Sequence, residues 1–283
     1  NKEPVHRYGE NAFELFSLPT PIFGQVTGTL GKNGIGKTTA LQILAGLLKP
    51  NLGRYGEEVD YKEIINYFKG TETQKFLMKL HLGEIKLSYK LQQVDLIPKQ
   101  FQGTVRELLN KVDEKGKLEE VAKELQLTNF LENEISRISG GELQRVAIAA
   151  SVLKKGNIYL FDEPTSYLDI KQRVNMSRFI RSLADEDTSI LVIEHDLIIL
   201  DYMTDLLNIM YGQEGAYGIV SGVKNSREGI NAFLEGFLKE ENVRFRSHPI
   251  KFEKVQERQV GKVEKLISWN KLSKKLGNFQ LDV

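Results

Sequence analysis

Apolar residues follow two rhythms along this chain. Short apolar runs at residues 25–30, 85–89, 158–161, 190–193 and 206–210 are bounded by polar or glycine-rich stretches, as strands buried on both faces are. Between them, Leu41, Leu44, Ala45, Leu47 and Leu48 recur at helical spacing up to Pro50. Leu108, Leu109, Val112, Leu118, Val121, Leu125 and Leu127 draw helical stripes through residues 104–153. Strands alternating with helices predict an α/β core around a largely parallel sheet, interrupted by a helical insert at 103–155.

Two segments fall outside one compact core. Residues 60–82 carry two short amphipathic patterns, 60–69 and 72–82, broken at Gly70, with Thr71 placed to cap the second helix. Residues 241–283 hold ten Lys/Arg against five Asp/Glu. Within them Gly277-Asn278-Phe279-Gln280-Leu281 echoes Asn11-Ala12-Phe13-Glu14-Leu15, as the opening strand of a second repeat would. The expected organisation is a nucleotide-binding domain over 1–240, then a linker over 241–283.

Composition sharpens this picture in three places. With 41% hydrophobic and 27% charged residues, the 283-residue chain is a folded one. Its net charge of +1 excludes a globally basic nucleic-acid binder but leaves room for a local basic patch. The absence of cysteine excludes disulfides, thiolate metal sites and a catalytic thiol within the chain. No window approaches about 18 uninterrupted apolar residues. Asn1-Lys2-Glu3-Pro4 lacks the basic-then-apolar layout of a secretory signal, so a cytoplasmic protein without a membrane span is expected.

The chemistry gathers at the ends of the apolar runs. Gly31-Lys32-Asn33-Gly34-Ile35-Gly36-Lys37-Thr38 matches G-x-x-x-x-G-K-[ST] between a predicted strand and a predicted helix. Its glycines let backbone N–H groups turn inward around phosphates, Lys37 reaches the β- and γ-phosphates, and Thr38 ligates Mg²⁺; Asn33 to Thr39 are all expected to bind the nucleotide. The run 158–161 ends in Asp162, placed to hold Mg²⁺, and Glu163, placed to polarise an attacking water. Together these predict binding of a nucleoside triphosphate with Mg²⁺; that it is ATP is what the resemblance below implies. Ser139-Gly140-Gly141-Glu142 opens a helix and forms a second anion-binding terminus.

Ile138-Ser139-Gly140-Gly141-Glu142-Leu143-Gln144-Arg145 resembles the signature of the ATP-binding-cassette (ABC) ATPases. That resemblance implies a P-loop NTPase fold, with a RecA-like core, an antiparallel β edge and a helical subdomain. It also implies that Ser139–Glu142 serve the γ-phosphate of ATP on a facing cassette. Gln92, or Gln93 one residue on, resembles the glutamine that senses Mg²⁺ and the γ-phosphate. His195 resembles the switch histidine, Ser166-Tyr167-Leu168-Asp169 the loop that communicates between cassettes, and Tyr8 or Phe13 the aromatic that stacks on adenine.

Several stretches are similar to the RNase L inhibitor family, the twin-cassette ABCE ATPases that recycle ribosomes. They include Tyr167–Arg173, Leu48–Gly53, Val94–Lys99 and Tyr211–Arg246, with Gly215-Ala216-Tyr217-Gly218 inside the last. The resemblance implies ATP hydrolysis that closes a clamp and splits ribosomal subunits. The implied partners are a second cassette, the small ribosomal subunit and its rRNA, and release-factor-like proteins of the Pelota type. Lys62, Lys69, Lys75 and Lys79 of the 60–82 insertion would meet rRNA phosphates, while Phe68, Phe76 and Leu77 pack its two helices together. Arg244, Arg246 and Lys251 would lie in the hinge. The family begins with an iron–sulfur domain and ends with a second cassette. A chain with no cysteine and one phosphate loop is therefore expected to be a first cassette plus hinge, its iron–sulfur clusters carried elsewhere. The alternative is the ATPase subunit of an ABC membrane transporter.

Overall fold

The computed structural model describes residues 3–90, 92–251, 273–276 and 279–282. The described chain divides into two compact units, Asn1–Pro249 and Ile250–Val283. In chain order the strands are β1 (His6–Arg7), β2 (Glu14–Phe16), β3 (Val26–Leu30), β4 (Leu87–Lys90), β5 (Ile158–Asp162), β6 (Ser189–Ile193), β7 (Leu206–Gln213), β8 (Tyr217–Val220), β9 (Lys224–Asn225), β10 (Phe237–Leu238), β11 (Val243–Arg244), β12 (Ser273–Leu276) and β13 (Phe279–Asp282). The helices are α1 (Lys37–Leu44), α2 (Tyr61–Tyr67), α3 (Glu72–His81), α4 (Ile97–Gln100), α5 (Val105–Val112), α6 (Leu118–Glu124), α7 (Gly140–Leu153), α8 (Ile170–Ser182), α9 (Leu197–Met203) and α10 (Ser226–Glu235).

Nine of the strands form one sheet in the order β1-β2-β8-β7-β3-β6-β5-β4, with β9 paired to β7. The run β7-β3-β6-β5-β4 is parallel throughout, and antiparallel pairs β1–β2, β7–β8 and β7–β9 form the edge. This is the P-loop cassette fold that the resemblance implies. The apolar runs find their places because β3, β5 and β6 are buried at every position, as strands covered on both faces require. Alternate residues of β5 feed two cores. Tyr159 and Phe161 face a layer built by α5, α6, α7 and α8. Ile158 and Leu160 face α1 and the 60–82 insertion.

The insertion forms the two expected helices, with Thr71 accepting from Gln74 N–H at the second N-terminus. It is not separate from the core, however. Ile64, Phe68, Phe76 and Leu77 join the same buried cluster as Leu41 and Leu44 of α1, so the apolar faces pack on the cassette as well as on each other. Helix α1 also ends earlier than its apolar spacing suggests. Gly46 takes a left-handed φ of 70°, the Leu47 N–H turns back to the Gln42 carbonyl, and Leu47 is exposed.

The first unit runs beyond residue 240, because β11 pairs with β10 and Arg246 Nη2 donates to the Phe233 and Leu234 carbonyls at the end of α10. In the second unit β12 and β13 form an antiparallel hairpin with Lys275 opposite Gln280 and Lys274 opposite Leu281. At the start of the chain Arg7 stands opposite Glu14 and His6 opposite Leu15. Gln280-Leu281 thus occupies in its hairpin the place of Glu14-Leu15, its counterpart in the sequence echo. Gly277, Asn278 and residues 252–272 of the expected linker lie outside the described residues. Among the described residues no helix is long and apolar enough to cross a membrane.

Candidate functional site

The carboxyl ends of β3, β5 and β6 open into one cleft of ≈ 410 Å³. Tyr8, Phe13, Asn33, Gly34, Gly36, Lys37, Thr38, Thr39, Gln92, Asp162, Glu163 and His195 all line it, and so does Gly215. Gln92, rather than Gln93, is the glutamine on the wall. Among the predicted loop residues, Ile35 alone turns its side chain into the core.

The phosphate loop is held by close contacts that depend on glycine. At Gly36, with φ 88°, a Cβ would stand 2.5 Å from Phe13 Cζ, so the aromatic packs directly on the loop. At Gly218 of β8 a Cβ would fall 1.9 Å from the Ile35 carbonyl oxygen, so the antiparallel edge braces the loop from behind. Tyr8 is more open than Phe13, at 44% exposure, and its hydroxyl lies 3.1 Å from Thr39 Oγ1.

Lys37 Nζ donates to the carbonyls of Gly31 at 2.9 Å and Lys32 at 2.6 Å, which centres its ammonium over the loop. Burial pushes it down to about 8, against the opposing pull of Glu163 and Asp162. Thr38 Oγ1 donates to Asp162 Oδ2 at 2.9 Å. Burial drives the Asp162 carboxyl upward, and the Thr38 hydrogen bond and the charges of Lys90 and Lys37 only partly counter it. A hydroxyl and a carboxylate are thereby brought together as oxygen donors, and the Gln92 carboxamide lines the same cleft. So small an oxygen set suits Mg²⁺, which keeps water and phosphate oxygens as its other ligands.

Glu163 has φ 48°, in the left-handed region. Burial raises its carboxyl, but a hydrogen bond from Gln92, the charge of His195 and a hydrogen bond from Ser166 outweigh burial and leave it below the usual range. His195 Nε2 is 3.0 Å from Glu163 Oε1, and Ser166 Oγ donates to Oε2 at 3.2 Å. A carboxylate can only accept, so His195 Nε2 carries the proton in this contact.

Ser139, Gly140, Gly141 and Glu142 lie outside the cleft, at the start of α7. Ser139 Oγ accepts from the Glu142 N–H at 3.3 Å and Glu142 Oε2 accepts from the Ser139 N–H at 2.7 Å, a reciprocal capping box. Tyr167, 70% exposed, stands beside this terminus, and a Cβ at Gly141 would lie 2.9 Å from its carbonyl oxygen. The terminus is thus exposed and lies apart from the nucleotide cleft of its own chain.

Three buried polar residues near the cleft have no counterpart among the predicted ones. Lys90 Nζ donates to the Asp162 carbonyl at 2.8 Å, and Gln144 Nε2 donates to the Glu163 carbonyl at 2.8 Å. Glu194 accepts from the N–H and hydroxyl of Thr165 and from the His195 N–H, tying the switch loop to the turn after Glu163. The available signal was a polar residue interrupting a buried pattern, at a strand end, within an apolar helix and directly after an apolar run.

The ABC transporter family model matches residues 22–166. "ABC transporter E family member 1" of Arabidopsis thaliana is 46% identical over 287 residues, 100% of this chain and 47% of that protein. A solved structure of "RNase-L Inhibitor" superposes with a TM-score of 0.90 at 52% identity, covering 100% of this chain and 54% of that one. Another, of an archaeal ribosome recycling factor with the archaeal ribosomal stalk protein aP1, superposes with a TM-score of 0.89 at 52% identity, covering 99% and 54%. The chain spans about half the length of the curated relatives it matches. Similarity at 46–52% identity along the whole of this sheet-and-helix cassette shows that the chain belongs to the ABC family of ATP-binding cassettes, in its RNase L inhibitor (ABCE) branch.

Proposed function

We propose that this chain is one half of an ATP-driven clamp that acts on ribosomes. The observation that carries the reading is that one chain holds both a cleft lined by Lys37, Thr38, Asp162 and Glu163 and an exposed signature terminus outside that cleft. Such a chain supplies a nucleotide and half of each of two composite sites, and a second cassette supplies the other halves. Tyr8 or Phe13 stacks on adenine, and Lys37 with the loop N–H groups from Asn33 to Thr39 holds the phosphates. Thr38, Gln92 and Asp162 hold Mg²⁺, which neutralises charge on the phosphates when bound. Glu163 accepts the proton of the attacking water, and His195 orients Glu163 through its Nε2 hydrogen bond and contacts the γ-phosphate. ATP favours the closed clamp because contacts to the γ-phosphate from the facing Ser139–Glu142 terminus exist only there; hydrolysis removes them.

The target is a ribosome engaged with a Pelota-type factor. This is supported by similarity, over 99% of this chain, to a ribosome recycling factor solved with a stalk protein and to a model of ribosome-bound archaeal Pelota and ABCE1. In this reading the chain corresponds to the first cassette and hinge, works in the cytoplasm, and relies on iron–sulfur clusters carried outside it. The transporter-subunit reading lacks comparable support, since the E-family similarity runs through the insertion and residues 211–246.

Cosedimentation with purified small ribosomal subunits, with and without a non-hydrolysable ATP analogue, tests the reading. Binding that increases with the analogue is expected; no binding in either condition rejects the ribosomal target. In the same preparation, Glu163→Gln is expected to bind ATP normally and to lose hydrolysis. Undiminished turnover in that variant would remove Glu163 from the mechanism.

A further inference from the structure

Glu163 sits where a residue with a Cβ is disfavoured, at φ 48°, and such conformations persist only where the surroundings over-determine them. Three main-chain polar groups at this position are held. Its N–H donates to the Ile193 carbonyl at 3.0 Å. The carbonyl before it, on Asp162, accepts from Lys90 Nζ at 2.8 Å. Its own carbonyl accepts from Gln144 Nε2 at 2.8 Å. The first bond is sheet continuation, and the Glu163 carbonyl also accepts from the nearby Ser166 N–H at 3.3 Å, but the Lys90 and Gln144 bonds come from side chains on separate elements.

Lys90 is 2% exposed and Gln144 is fully buried, and neither lines the cleft. An ammonium and a carboxamide are unfavourable in an apolar interior unless their hydrogen bonds are strong and specific. Both are spent on the two carbonyls that flank one residue. Lys90 ends β4, two residues before Gln92, and Gln144 lies in the second turn of α7, whose N-cap is Ser139.

We propose that Lys90 and Gln144 are positioning residues for Glu163, gripping the carbonyls on either side of it from β4 and from the signature helix. The carboxylate therefore points correctly only while both elements are seated. A shift of α7 under a facing cassette is felt at the base of its own chain's site through Gln144, without contact between the two nucleotides. This inference rests on the hydrolytic role proposed for Glu163.

Lys90→Met and Gln144→Leu remove the donors while keeping side-chain length. Single-turnover hydrolysis, with the chain in excess over ATP, is measured beside ATP affinity and melting temperature. In each variant the rate constant is expected to fall by about tenfold or more, with affinity within about twofold of the unsubstituted chain. Unchanged rates in both variants overturn the proposal. So does a loss of rate that merely tracks lost affinity and a lowered melting temperature. Glu163→Gln serves as the reference: if it hydrolyses at the unsubstituted rate, the hydrolytic reading falls and this inference with it. If it is inactive while both variants stay fully active, the inference alone falls.

Discussion

Lys37 is a cation in a place that disfavours cations until phosphate arrives. Burial lowers it to about 8, despite the pull of Glu163 and Asp162. At neutral pH the ammonium form still predominates, so phosphate meets a charged partner. As pH rises through about 8, the nucleotide-free chain loses that proton, and binding must take one up. ATP affinity is therefore expected to be flat with respect to Lys37 below about pH 7, then to fall by up to about tenfold per unit above about 8. Calorimetric titrations in buffers of different ionisation heat would check this, with proton uptake growing towards one per ATP on the alkaline side. An affinity that stays level through about pH 9 would contradict a lowered Lys37. Lys90 is held at about 8 by the same burial, but it bonds the Asp162 carbonyl and does not line the cleft.

At the scale of elements, the signature helix separates stability from binding. Ser139 caps α7 with Glu142 as its reciprocal partner, yet neither residue lines the nucleotide cleft. Ser139→Ala is expected to cost about 1 kcal/mol of folding stability, read as a lower urea midpoint at unchanged slope. ATP affinity of the chain itself should not move; a matching loss of affinity would place Ser139 in its own chain's site. Asp162 and Glu163 were legible because they stand where an apolar run stops, whereas His195 and the signature were picked out by their resemblance to the family's motifs. Other features left no local trace. Leu47 and Leu48 keep helical spacing past Gly46, where the backbone has already turned away. Strands as short as β1 and β9 have too few residues for any period. The amphipathic pattern of 60–82 predicted two helices, but the pattern of a helix does not name its neighbour, and Ile64, Phe68 and Phe76 proved to share a core with α1. Lys90, Gln144 and Glu194 interrupt buried patterns in the sequence, but the groups they bond are set by distant segments.

At the scale of the whole molecule, charge limits how the chain can hold RNA. A net charge of +1 produces little long-range attraction, so affinity for rRNA phosphates must come from local contacts. The hinge-proximal arginines are poor candidates, because they are already engaged. Arg246 donates to the Phe233 and Leu234 carbonyls and lies 5.4 Å from the Phe233 ring centroid, and Arg244 lies 5.1 Å from that of Phe237. Lys62, Lys69, Lys75 and Lys79 are exposed on the helical insertion instead, with Lys75 steadied by Glu72 and Lys79 set 5.9 Å from the Phe23 ring centroid. Because Ile64, Phe68, Phe76 and Leu77 anchor that insertion in the main core, the lysines ride on a fixed platform rather than a loose hairpin. If all four meet phosphates, the logarithm of ribosomal-subunit affinity should fall with the logarithm of salt at a slope of about −3 to −4. Replacing all four with glutamine should bring that slope close to zero without altering ATP affinity, since none of them lines the cleft. A salt titration of cosedimentation decides the matter, because a slope that survives the fourfold replacement would move the RNA contact to another face of the cassette.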